Sequence, residues 1–161
     1  MFIKIPKDNK DESKGEYVQE DEPKYTISIA AKLLNISIHA LRLYEREGLI
    51  IPFKKPSGHR LYSDFDIERL KCIREMITER KFNLSGIVGM LSLIPCWEVI
   101  NCSDEDRENC DAYKKSFGTC WSYEHKGNIC STMDCRLCKV YKTYGRCSQI
   151  KSAIREITNN V

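Results

Sequence analysis

The sequence predicts a mainly α-helical chain of four helices and a two-stranded hairpin, followed by a small cysteine-rich module that a metal must staple. Three observations predict this. Apolar residues recur at spacings of three and four in short segments, opened by Ser or Asn and closed by Asn, Gly or Pro. One extended pair, Leu49–Phe53 and His59–Tyr62, flanks the turn Lys54-Lys55-Pro56-Ser57-Gly58. Eight of the 9 cysteines then crowd between Cys96 and Cys147.

At 161 residues the chain supports one ordinary domain or two small ones. Its net charge of +3 is unevenly spread, at −2 over residues 1–24, +4 over 25–95 and +1 over 96–161. The basic middle suits a phosphate-binding surface. No apolar run approaches the ~20 residues of a spanning helix, and the N-terminus has no signal-peptide core, so a cytoplasmic protein is expected. In a reducing compartment, cysteines in this number serve as metal ligands or redox groups rather than disulfides.

Residues 1–24 alternate charged patches with little apolar content and read as a disordered arm. From Ser28, the residues Ile29, Ala30 and Leu33 put an apolar stripe on a first short helix. Asn35 tolerates the left-handed backbone of a tight turn, and Ser37 offers an N-cap to a second helix. Leu41 and Tyr44 face inward from that helix, and Gly48 ends it. Its other face carries His39, Arg42, Leu43 and Arg46, three of them nitrogen-bearing. Two short helices joined by a tight turn, the second with a basic stripe, read as a helix-turn-helix with its recognition helix. The hairpin that follows reads as a wing, its Lys54, Lys55 and Arg60 reaching phosphates beside the groove. Ser63 and Asp66 make a capping box for a third helix with Ile67, Leu70, Ile73, Met76 and Ile77 at helical spacing. Cys72 lies on this helix, between two apolar positions, as an inert, partly buried thiol. Asn83 then caps a fourth helix carrying Leu84, Ile87, Val88 and Leu91, which runs out before Pro95.

The strings YTISIAAKLLNIS, ALRLYEREGLIIP, GHRLYSDFDIERLKCI and FNLSGIVGML resemble the MerR family of transcription regulators. The variant YTISIAAKLL…LRLYEREGLI is most similar to the heat-shock repressor branch. The resemblance covers residues 25 to about 94. It implies a winged helix-turn-helix over residues 25–95 that binds inverted-repeat promoter DNA as a homodimer, with RNA polymerase as a further partner and no membrane role. By position it adds Tyr44 in the recognition helix and Tyr62 in the wing, beside Arg42 and Arg60. The expected DNA-contacting set is therefore Ser37, His39, Arg42, Tyr44, Arg46, Lys54, Lys55, Arg60 and Tyr62. Two positions depart from the family pattern. Leu43 stands where many members have a second Tyr, and Lys81 where Gly is common before the fourth helix.

Residues 96–147 form the cysteine-rich module. A thiolate-only ligand set suits zinc or an iron–sulfur cluster and disfavours magnesium or calcium, which want oxygen. The segment is also too poor in aliphatic residues to build a core without a staple. Cys135 and Cys138 have chelating spacing, but the remaining gaps fit no zinc-ribbon or ferredoxin pattern, so the metal's identity stays open. No βαβ pattern surrounds this pair, which argues against a thiol oxidoreductase and for a protein that is not an enzyme. The string CWEVINC…ENCDAY…CW…C…CRLCKVY resembles the two-CW cysteine module of bacterial regulatory and chemotaxis-type proteins. That pattern leaves Cys147 outside and implies seven ligands, Cys96, Cys102, Cys110, Cys120, Cys130, Cys135 and Cys138.

Residues 148–161 regain helical spacing through Ile150, Ala153, Ile154 and Ile157. A helix this short must pack, either on this chain's own module or on the same helix of a partner. The expectation is a DNA-binding regulator whose cysteines sense redox state or metal through an iron–sulfur cluster. The alternative is a structural zinc unit used for dimerisation or partner binding.

Overall fold

The structure is a computed structural model that describes residues 21–143 and 150–159. Most of the arm expected at 1–24 lies outside these residues, as does Cys147. The side chains of Ile150, Ala153 and Ile157 lie outside them too.

Strand β1 (Tyr25–Thr26) leads into α1 (Ile27–Leu34), and α2 (Ile38–Arg46) follows after a three-residue turn. Strands β2 (Phe53–Lys54) and β3 (Arg60–Tyr62) form the hairpin, and α3 (Asp64–Thr78) and α4 (Leu84–Ser92) complete the N-terminal part. The sheet is antiparallel in the order β1-β3-β2, with Tyr25 opposite Tyr62 and Phe53 opposite Leu61.

The caps follow the sequence closely. Asn35 is left-handed at φ 50°, and Ser37 accepts a hydrogen bond from the Ala40 amide at 3.1 Å. Ser63 and Asp66 form the reciprocal capping box of α3, and Asn83 caps α4. Lys81 adopts φ 60°, so a lysine supplies the left-handed turn that glycine would make without strain.

Three expectations are corrected. The buried face of α1 is Ala30, Ala31 and Leu34, while Ile29 and Leu33 point outward. Thr26 caps the helix, so the inward set begins at Ile27 and steps by three, four and seven, with small alanines admitting close approach to α3. Leu49–Ile51 does not join a strand, because side chains from elsewhere in the chain take up its backbone groups. Cys72 is disulfide-bonded, not an inert free thiol. Its half-buried position on α3 leaves the sulfur open to a bonding partner.

Beyond Pro95 the chain folds into very short pieces: α5 (Cys96–Val99), α6 (Asp104–Glu108), α7 (Asp111–Lys114), two 3-10 turns at Cys120–Ser122 and Ile129–Thr132, and α8 (Lys139–Thr143). A terminal helix α9 (Ile150–Asn159) follows. The hydrophobic core crosses the boundary at Pro95. Val140 is 1% exposed within the same cluster as Leu41, Leu70 and Ile87, and Cys96, Val99, Trp121 and Cys138 pack against it. Ile154 of α9 is half-buried on that cluster too, so this helix packs on its own chain at that position.

Candidate DNA-facing surface and thiol cavity

His39, Arg42 and Arg46 lie exposed on the outer face of α2, with Ser37 at its start. Lys54, Lys55 and Arg60 stand on the adjacent hairpin, Arg60 half-buried. Glu45 joins the two elements, its carboxylate 3.1 Å from Lys54 Nζ and 2.5 Å from Arg60 Nε. Burial opposes ionisation of Glu45, but Arg60 and Lys54 outweigh it and hold the carboxyl below its ordinary range. Arg42, Arg46, Lys54 and Arg60 line one open groove, whose far wall is Trp121 and Ser122 of the cysteine segment.

Tyr44 and Tyr62 sit elsewhere. Both are core residues, at 7% and 0% exposed, and present no surface for a ligand. Burial pushes the Tyr62 phenol up to about 12. Its hydroxyl has no hydrogen-bond partner.

The seven expected sulfur ligands, Cys96, Cys102, Cys110, Cys120, Cys130, Cys135 and Cys138, are all free. All seven line a single small cavity of about 30 Å³, together with Trp97, Trp121 and His125. The Cys96 sulfur accepts a hydrogen bond from the Cys120 thiol, which holds Cys96 below its ordinary value and Cys120 well above. Burial, reinforced by Cys102, Cys138, Cys110 and Cys96, pushes Cys130 up to about 12, and burial raises Cys102 and Cys135 as well. Several thiolates in one partly buried space repel one another, so a cationic group among them would relieve that repulsion and draw the protons off. Among the described residues, however, no three His, Cys, Asp or Glu side chains stand close enough to hold one metal ion. The donor chemistry thus fits a soft metal group.

The residues that join this cavity to the rest of the chain were not evident from the sequence. Arg69, only 2% exposed, donates from Nε to Leu49 O at 2.8 Å and from Nη1 to Tyr141 O at 3.3 Å. Its guanidinium lies 4.3 Å from the Tyr141 ring centroid and 5.1 Å from that of Trp121. Arg136, between the chelating Cys135 and Cys138, reaches the fully buried capping-box carboxylate of Asp66 at 3.2 Å. Burial nevertheless leaves Asp66 raised above its usual value, because Arg136 and the Ser63 hydrogen bonds offset desolvation only in part. The one available signal was the repeated Cys-Trp pair, which marks Trp121 but not its partners.

A short helix, a left-handed turn and a second helix bearing exposed arginines define a helix-turn-helix domain. Residues 25–94 match the family pattern described as MerR HTH family regulatory protein. The protein named HspR in Streptomyces coelicolor is 38% identical over 74 residues, 46% of this chain and 49% of that protein. A Haemophilus influenzae chain named as a heavy metal-dependent transcriptional regulator is 43% identical over 68 residues, 42% of this chain and 52% of its own. The transcriptional repressor CarH of Myxococcus xanthus is 36% identical over 59 residues, 36% of this chain and 20% of its own. The chain thus spans about half the length, or less, of these relatives. No helix among the described residues is long and apolar enough to cross a membrane.

Proposed function

We propose that this protein is a DNA-binding transcription regulator in which a winged helix-turn-helix reads promoter DNA and the thiol cavity holds an iron–sulfur cluster that senses redox state or metal. The DNA reading is carried by the exposed Arg42 and Arg46 on α2 beside the basic hairpin, in a MerR-type domain. The sensing reading is carried by the convergence of seven free thiols on one cavity. Binding as a homodimer to an inverted repeat follows from the family resemblance, and a symmetric footprint on such a repeat tests it.

Arg42→Ala should abolish preference for a duplex selected in vitro by the wild type over a scrambled one, because a recognition-helix arginine reads base edges. Lys55→Ala should weaken both duplexes alike and reduce the salt slope by about one. Intact discrimination by Arg42→Ala in a competition assay would remove α2 from the recognition role.

Anaerobically purified protein should show a broad visible absorbance band, with iron and acid-labile sulfide present in comparable amounts. A colourless protein holding only zinc would replace the sensor with a structural metal unit.

A further inference from the structure

We propose that Trp121 and Tyr141 are positioning residues that reach out of the cysteine module, hold the connector between α2 and β2, and thereby set the hairpin against the recognition helix. This rests on the DNA-binding reading above and names the parts through which the module acts on that site.

The connector runs from Glu47 to Pro52, and the backbone groups at its centre find partners outside the sheet. Gly48 O accepts from Trp121 Nε1 at 2.6 Å, Leu49 O accepts from Arg69 Nε at 2.8 Å, and the Ile51 amide donates to the Tyr141 hydroxyl at 2.9 Å. Two of these three bonds come directly from module side chains. The third comes from Arg69, whose guanidinium lies against the Trp121 and Tyr141 rings, themselves edge-to-face at 5.2 Å. The side chains of Leu49 and Ile50 are buried beneath, so the connector cannot shift without disturbing the core. Gly48 has φ 71°, and a Cβ there would collide with the Ser122 hydroxyl, so the 3-10 turn bearing Trp121 lies directly against the end of the recognition helix.

Position in sequence supplies the link to the thiols. Trp121 follows Cys120 directly, and Tyr141 lies within the first turn after Cys138; both sulfurs line the cavity. Movement of Cys120 or Cys138 is therefore passed to opposite ends of one short connector. The link from α4 to Cys96 offers another path, but it ends on a helix behind the recognition element. The Trp121 path ends at Gly48, two residues past the recognition helix, beside the groove that Arg42 and Lys54 share with Trp121.

The test uses two full-length variants: Tyr141→Phe deletes only the hydroxyl, and Trp121→Phe removes the indole N–H together with part of the ring. Hydrogen exchange is read at amides 49–54, and discrimination is read as the affinity ratio for the selected duplex over the scrambled one. Metal content should match wild type, and amide protection in the middle of α3 should be unchanged. Exchange at 49–54 should quicken about tenfold, and discrimination should fall about tenfold, because each variant strands a partly buried backbone group. A Tyr141 ring serving only as packing would leave both readouts of Tyr141→Phe at the wild-type value. Wild-type discrimination in both variants overturns the proposal whatever the exchange shows. Should the wild type itself discriminate no duplex, the DNA-binding reading falls and exchange alone decides. Faster exchange in both variants then upholds the positioning role, and unchanged exchange overturns it.

Discussion

Dismantling the metal group of the full-length protein with ferricyanide and EDTA, followed by reductant, should abolish amide protection across residues 96–143. Protection at 48–54 and in the middle of α3 should weaken without disappearing. The helices of this segment run from four to five residues, far below the length at which a helix holds itself in water. Among its described residues only Thr119, Asn128, Val140 and Tyr141 are buried; Val140 joins the core cluster of the N-terminal part, and Tyr141 bonds the Ile51 amide and lies on Arg69. On the proposed reading, coordination would supply most of the module's folding free energy, for which structural zinc sites give a scale of about 10–16 kcal/mol. The partial effect before Pro95 follows from the shared core and from the three hydrogen bonds on the connector. Helix α1 packs on α2, α3 and β3, and both α1 and α2 should keep their protection. Full protection of 96–143 in protein shown to hold no metal would sink the idea.

Much of the N-terminal half was legible because its signals are local. Ser37, Ser63 and Asn83 each fix a helix start through one side chain and a neighbouring amide, and Asn35 ends α1 through its left-handed backbone. The apolar face of α1 was misjudged for a physical reason. Alanine contributes little to a hydrophobic pattern, so Ala30 and Ala31 were outweighed by the larger Ile29 and Leu33, yet a tight contact selects the smaller pair. Strand β1 was missed because two residues paired with β3 leave no periodicity to read. The connector around Leu49–Ile51 has the composition of a strand, but Gly48 and Ile51 find their hydrogen-bond partners about seventy to ninety residues away, on Trp121 and Tyr141. No local rule reports such a pairing. The cysteines behave in the same way. Their irregular spacing gave no ligand grouping, and only the fold shows that all seven face one space.

Arg69→Ala should be the most damaging single substitution outside the thiols, lowering stability by about 3–5 kcal/mol against a total of about 5–15 for a domain of this size. Two costs combine. The truncation opens a cavity under the Trp121 and Tyr141 rings, and it leaves the Leu49 and Tyr141 carbonyls without a donor. Burial disfavours the charge itself and lowers the pKa of Arg69, while the Tyr141 side chain and the Asp66 and Cys120 groups act in the opposite sense. Arg69→Met separates these effects, because it restores most of the volume without restoring a donor. It should lose only about 1–3 kcal/mol, the cost of unpaired buried carbonyls. Arg69→Lys should not rescue, since an ammonium cannot lie flat on the Tyr141 ring while reaching both carbonyls. Urea unfolding of metal-loaded protein, followed by tyrosine and tryptophan fluorescence, gives the three values, and an unchanged slope confirms that the midpoints are comparable. Arg69→Ala within about 1 kcal/mol of wild type would mean that the connector is held by packing alone. Arg69→Met about 1–3 kcal/mol below wild type, with Arg69→Lys no better, would show that the guanidinium joins the cysteine module to the end of α2 through its hydrogen bonds.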